Sequence, residues 1–141
     1  MSKAEENEAL IRAYIESARG ASDDPAAGAA HAARYYHPEI VCEWTGRSPF
    51  AGTFAGREFF EEWAPRWGAY DVTIGDLIDV LASDARVAVL VSETYTHRES
   101  GESLTIDRLS MYEIEDGKLR SMTVRDTDQY ASDEFWTRTA G

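Results

Sequence analysis

Four consecutive segments in the second half of the chain leave little room for anything but an antiparallel meander. Residues 70–81, 86–98, 103–115 and 118–128 each carry strand-type alternation and are rich in Val, Ile, Thr and Tyr. Only Ser83-Asp84-Ala85, Glu99-Ser100-Gly101-Glu102 and Glu115-Asp116-Gly117 separate them. Connections this short join antiparallel neighbours, because parallel strands need a long crossover. Asp116-Gly117 is in addition a strong hairpin signal, since both central residues of a tight turn must take positive φ.

The first half has a different period. Ser2 followed by Glu5 reads as a capping box, and Leu10, Ile11, Tyr14, Ile15 and Ala18 then recur at helical spacing towards a stop near Gly20. Asp24-Pro25 predicts an N-cap and first turn for a second, Ala-rich helix, which ends after Tyr35 and Tyr36 and before Pro38. Ile40, Cys42 and Trp44 alternate as a short strand, and a loop with Gly46, Pro49 and Gly52 follows. Phe59, Phe60, Trp63 and Trp67 form one face of a third helix that Pro65 kinks or ends. Residues 129–141 read as a short tail pinned by Phe135 and Trp136. Helices first and a meander afterwards predict an α+β class. The length of 141 residues predicts one domain, 1–141, with one core.

Charge and cysteine content narrow the function classes. The formal net charge of −12 disfavours nucleic acid and anionic lipid as partners. A single cysteine, Cys42, permits no internal disulfide, and the first residues lack the basic start and apolar core of a signal peptide. No apolar run approaches the ~20 residues that span a bilayer. A cytoplasmic location is the expectation. His31 and His37 form no metal-ligand spacing with other residues, and Gly52 and Gly56 are not followed by the GK[ST] of a phosphate loop.

The turns set an expected register. The turn around Gly101 places Glu93 opposite Arg108, Tyr95 opposite Ile106 and Val91 opposite Ser110. A slip of one residue would oppose Glu93 and Asp107, a like-charge pair. The Asp116-Gly117 turn brings Met122, Val124 and Asp126 near Ser110, Arg108 and Ile106. One sheet face then carries Val91, Glu93, Tyr95, His97, Ile106, Arg108, Ser110, Met122, Val124 and Asp126. An apolar surface on which two carboxylates and one guanidinium converge is the usual composition of a small-molecule site.

The stretches IVCEWTGRSPFAGTFAGREFF and YEIEDGKLRSMTVRDTDQY resemble the SnoaL-like branch of the NTF2-like superfamily. The resemblance implies a cone of N-terminal helices packed on a curved antiparallel sheet that encloses a pocket. It also implies that the outer sheet face, with Leu90, Leu109 and Met111, pairs two copies into a homodimer. Ketosteroid isomerases of this superfamily use a helix-1 Tyr, an Asp base and a protonated Asp. Tyr14 in RAYIES matches the first, but Trp44 and Ser110 stand at the other two positions, which argues against that chemistry. Limonene-epoxide hydrolases use an Asp-Arg-Asp set. Glu93 matches one carboxylate, Val91 and Val124 stand at the other two positions, and Arg108 with Asp126 could rebuild the set from different strands. SnoaL-like cyclases use a single acid/base Asp, for which Asp126, or else Asp128, is the candidate.

The expectation is therefore a cofactor-independent acid/base enzyme acting on a small, apolar, oxygen-bearing polyketide- or terpenoid-like compound by cyclisation, isomerisation or epoxide opening. Asp126 is its principal acid/base, Glu93 and Arg108 set the charge, and Tyr14 donates to a substrate oxygen. Trp44, Phe60, Trp63, Tyr95, His97, Ile106, Ser110, Met122 and Val124 are the expected pocket wall, with no metal. The bland readings are a structural Glu93–Arg108 pair, a core Tyr14, an exposed hairpin His97 and a buried, unreactive Cys42. The alternative function is a non-catalytic ligand-binding or interaction module.

Overall fold

The structure is a computed structural model that describes residues 1–21 and 24–140. Helix α1 (Lys3–Ala21) starts at the expected capping box, where Ser2 Oγ accepts from Glu5 N at 3.1 Å and Glu5 Oε1 accepts from Ser2 N at 3.5 Å. Its buried side chains, Asn7, Ile11, Tyr14 and Ile15, fall on one stripe. Helix α2 (Pro25–Tyr35) begins at Asp24, whose carboxylate accepts from Ala26 N at 3.2 Å, and Pro stands in its first turn.

Six strands form one sheet: β1 (Tyr36–Trp44), β2 (Gly52–Ala55), β3 (Tyr70–Ala82), β4 (Arg86–His97), β5 (Ser103–Glu115) and β6 (Lys118–Asp126). Their order is β2-β1-β6-β5-β4-β3. The meander β3 to β6 is antiparallel throughout. The sheet as a whole is mixed, because β1 runs parallel to β6. This corrects the expected antiparallel sheet: β6, the last strand of the meander, comes to lie beside β1 and runs in the same direction.

The register corrects the expected one by two residues. Arg108 lies opposite Val91 and Asp126, while Glu93 lies opposite Ile106 and Ile74. The β4–β5 turn is a four-residue loop closed by His97 N donating to Glu102 O at 2.8 Å, with Gly101 at φ +76°. That centres the hairpin earlier than Gly101. At the β5–β6 turn, Asp116 and Gly117 take positive φ as expected, but an irregularity between Glu113 and Ile114 shifts the pairing. Side chains alternate with period two, so a two-residue shift leaves every one on its expected face.

Three further elements differ from expectation. The loop after β1 contains the short strand β2. The third helix is not a regular α-helix but a π turn (Phe59–Trp63) running into a 3-10 segment (Ala64–Ala69), with Pro65 at the junction. The tail is helix α3 (Gln129–Ala140), which inserts Phe135 and Trp136 fully into the core. The helices, the π turn and the 3-10 segment cover the concave face of the sheet, and one apolar cluster joins α1, the sheet and α3.

Candidate functional site

A cavity of about 200 Å³ opens between α1, the 3-10 segment and the concave sheet face. Strand alternation brings Val91, Glu93 and Tyr95 from β4, Ser110, Arg108 and Tyr112 from β5, and Met122 and Val124 from β6 to its floor. Tyr14, Ile15 and Ala18 come from α1, Tyr36 and Trp44 from β1, and Trp63 and Trp67 from the π turn and 3-10 segment. With Val72 and Ile74 from β3, the wall is a mixture of aromatic rings and aliphatic side chains with two charged groups.

Arg108 is the hub. Its Nη1 donates to Glu93 Oε2 at 2.8 Å, and its Nε and Nη2 donate to the two oxygens of Asp126 at 2.8 and 3.3 Å. Nη1 also meets the Tyr95 hydroxyl, which itself donates to Glu93 Oε2 at 2.8 Å. The guanidinium lies over Trp44, 4.3 Å from the ring centroid, and 5.0 Å from that of Tyr95. Burial alone would lower the Arg108 pKa. The facing Tyr95, Glu93 and Asp126 more than offset it and push the pKa up, so the cation persists.

Two carboxylates bridged by one Arg, the set expected from separate strands, therefore exist as a unit, but the two differ in access. Glu93 lines the cavity; its Oε2 is taken by Arg108 and Tyr95, and Oε1 accepts no hydrogen bond from the described residues. Asp126 does not line the cavity. Its side chain is 3% exposed, and it pairs with Arg108, while Ser132 Oγ donates to Oδ2. The expectation of Asp126 as the principal acid/base put it on the pocket wall; the structure instead has Arg108 on the wall and Asp126 off it, with both Asp126 oxygens bonded by Arg108 and one of them also by Ser132.

A second polar spot in the same cavity is made where Tyr14 of α1 meets Tyr36 of β1. The Tyr14 and Tyr36 hydroxyls are hydrogen-bonded at 2.9 Å. One hydroxyl hydrogen closes that bond, so the pair keeps one hydrogen to donate. Burial raises the Tyr14 pKa well above its usual value and that of Tyr36 to about 12. Burial also raises Tyr95 and Tyr112. These hydroxyls are donors, not bases, near neutral pH. His31 stacks on Tyr14 with centroids 5.1 Å apart, and burial lowers its pKa, which favours the neutral imidazole. The Trp63 and Trp67 indole N–H groups are buried without an oxygen or nitrogen acceptor among the described residues, inside a cluster of ring contacts.

Of the side chains predicted from the sequence, Tyr14, Trp44, Trp63, Glu93, Tyr95, Arg108, Ser110, Met122 and Val124 line the cavity. Phe60, His97, Ile106 and Asp126 do not. Phe60 packs on Phe59 at 5.0 Å. His97 belongs to the hairpin, where its Nδ1 meets Ser100 Oγ at 2.8 Å. Ile106 is buried opposite Glu93, one same-face step beyond Arg108 towards the β4–β5 hairpin. Tyr36 and Tyr112 are wall residues that sequence reasoning missed. Tyr112 continues the Arg108, Ser110 alternation and was readable from it, whereas Tyr36 reads as the end of a helix. Cys42 is fully buried, and burial raises its pKa to about 12. Among the described residues no group of three or more His, Cys, Asp or Glu could hold a metal ion, and no helix is long and apolar enough to cross a membrane.

Residues 9–122 match the family model described as a SnoaL-like domain. No curated protein matches the chain. Among solved structures, Bal32a from a soil-derived mobile gene cassette is 23% identical, with a TM-score of 0.76 over 96% of this chain and 99% of that one. A protein of unknown function with a cystatin-like fold from Xanthomonas campestris is 20% identical, with a TM-score of 0.74 over 96% and 98% of the two chains. TerC, co-crystallized with polyporic acid, is 16% identical, with a TM-score of 0.70 over 94% and 98%. At these identities the likeness to solved structures is one of fold.

Proposed function

The chain belongs to the SnoaL-like domain family of NTF2-like proteins, and from this we propose that it is a cofactor-independent acid/base enzyme acting on a small, apolar, oxygen-bearing ring compound. The observation that carries the reading is Glu93: a carboxylate on the wall of an aromatic cavity, braced on one oxygen by Arg108 and Tyr95, with the other oxygen free.

In this reading Glu93 Oε1 takes a proton from the substrate or from an attacking water. Arg108 holds the carboxylate in one orientation and balances its charge. The free hydrogen of the Tyr14–Tyr36 pair is donated to the substrate oxygen, where negative charge grows as the proton leaves. The rings exclude water, which strengthens each of these interactions. A buried cavity of ~150 Å³ accepts benzene, so a space of about 200 Å³ encloses one substituted ring and leaves a larger body to project from the mouth. This favours monocyclic terpenoid-like or polyketide-like substrates. TerC, a structural relative co-crystallized with polyporic acid, supports a ligand role for the cavity. We also propose that two copies pair through the outer sheet face and that the enzyme works in the cytoplasm.

The test is a product screen by mass spectrometry over monocyclic epoxides, enones and phenolic ketones in water enriched in heavy oxygen, with Glu93→Gln beside the wild type. Label incorporated from an epoxide identifies hydrolysis, and a rearranged, unlabelled product identifies cyclisation or isomerisation. In either case Glu93→Gln should lower turnover by at least ~100-fold, the usual contribution of a positioned base, while retaining ligand affinity. Saturable binding without product for every class would replace this reading with a binding module.

A further inference from the structure

Asp126 reaches Arg108 with both oxygens, yet it is the last residue of β6, where the ladder that could hold it in place ends. What holds it comes from α3. Ser132 is 0% exposed and its Oγ contacts Asp126 Oδ2. Trp136, also 0% exposed, places its Nε1 at 2.8 Å from the same Ser132 Oγ. The direction of these bonds is forced. An indole N–H only donates, so Ser132 Oγ accepts from Trp136, and its single hydrogen is left for the carboxylate. Ser132 and Trp136 are four residues apart and share one face of α3, the face that also buries Phe135 next to the core.

Apolar packing by Phe135 and Trp136 would suffice to dock the helix. A fully buried serine is not needed for that, and burying a hydroxyl is unfavourable unless it is bonded. The polar line Trp136–Ser132–Asp126–Arg108–Glu93 therefore has a purpose beyond anchoring α3. Its Trp136, Ser132 and Asp126 also lie beyond the family match, which ends at residue 122.

We propose that Ser132 and Trp136 are positioning residues of the site: they orient Asp126, which holds the Arg108 guanidinium against Glu93. The inference rests on reading the Glu93–Arg108 pair as the reacting centre. Without the two α3 donors, Asp126 is free to rotate, Arg108 loses its fixed rear contact, and the guanidinium can swing away from the carboxylate.

The experiment is hydrogen exchange of the Arg108 Nε–H by NMR on the full ¹⁵N-labelled chain, the signal identified by its contacts to the Trp44 and Tyr95 rings. Trp136→Phe keeps an aromatic ring and removes the donor together with part of the indole, a packing loss that the amide control registers; Ser132→Ala removes the relay. Each should speed Nε–H exchange about tenfold, the equivalent of one hydrogen bond in a buried network. The double variant should add little, because the two act in series. The backbone amides of Val89 and Ser110, opposite one another in the β4–β5 ladder, are the control and should keep their rates. An unchanged Nε–H rate, or a rise only in step with those amides, overturns the proposal. Should Ser132→Ala fail to fold, Trp136→Phe decides alone. The readout needs no substrate, so a protected Nε–H in a chain that turns nothing over would sink the acid/base reading and leave the positioning role standing.

Discussion

Gly46 adopts φ +114° immediately after β1, and a Cβ there would run into Asp133 Oδ1 and come within 2.5 Å of Gln129 Nε2. Those two atoms are part of the contact that seats the start of α3: Asp133 Oδ1 accepts from Arg47 N at 3.0 Å and from Gln129 Nε2 at 3.1 Å. Gly117, at φ +71°, has nothing near its missing Cβ. The two positions separate backbone strain from crowding. Gly117→Ala should cost about 1 kcal/mol, the strain alone, and Gly46→Ala about 3 kcal/mol, strain with displacement of both side chains. Urea unfolding followed by Trp fluorescence measures both, and equal losses would refute the crowding. At this scale the sequence is legible where alternation decides the answer. Glu93, Arg108 and Ser110 fall on the concave face whichever of the two registers holds, because the two differ by an even number. It is illegible where the answer depends on depth along one face. Asp126 shares the face of Glu93, but its absence from the cavity wall follows from the contacts that Arg108 and Ser132 make with its carboxylate, which no local pattern announces.

The elements follow the same rule. Those announced by local chemistry were readable: the Ser2 capping box, the Asp24-Pro25 helix start and the Asp116-Gly117 turn each act within a few residues. Those created by distant packing were not. Strand β2 exists because β1 offers it an edge, with Phe54 opposite Cys42. The π turn and 3-10 segment bring Trp63 and Trp67 to the cavity while Phe59 and Phe60 pack beside it, and α3 forms where Phe135 and Trp136 find the core. The convex sheet face is a further element-scale case. Leu90 lies opposite Leu109 and Ala88 opposite Met111, with Leu81 beyond Ala88, so the exposed Leu81, Leu109 and Met111 make one apolar band across three strands. Such a band is a natural interface. Light scattering at micromolar concentration should give twice the 15.8 kDa chain mass, and Leu109→Glu with Met111→Glu should return the single-chain mass. A wild type of single-chain mass would exclude the pairing.

At the scale of the whole molecule, the hydroxyls and the thiol buried around the cavity make the fold sensitive to alkali. Burial holds the pKa of Tyr14, Tyr95 and Tyr112 above the ordinary tyrosine value, that of Tyr36 at about 12 and that of Cys42 also at about 12. In the unfolded chain these groups titrate at about 8.5 for Cys and about 10 for Tyr. Below those values both states bind the protons and the groups leave stability unchanged with pH. Above them the unfolded chain releases protons that the folded chain keeps, so unfolding is drawn forward as pH rises. Each tyrosine then costs about 1.4 kcal/mol of stability per pH unit between its unfolded and folded pKa, and several titrating together cost several times that. For a domain of ordinary stability, ~5–15 kcal/mol, the fold should give way between about pH 10 and 12. The urea midpoint should hold level from pH 7 to 8, begin to fall above about pH 8.5 as Cys42 comes into play, and fall steeply from pH 10 to 11, where the tyrosines add to it. In a Tyr130→Phe variant, which removes the 91% exposed tyrosine, tyrosinate absorbance should rise together with loss of structure rather than ahead of it. Absorbance that climbs near pH 10 in a chain still folded would mean that the hydroxyls reach solvent, and with it the Tyr14–Tyr36 pair would lose its standing as a neutral donor to a substrate oxygen.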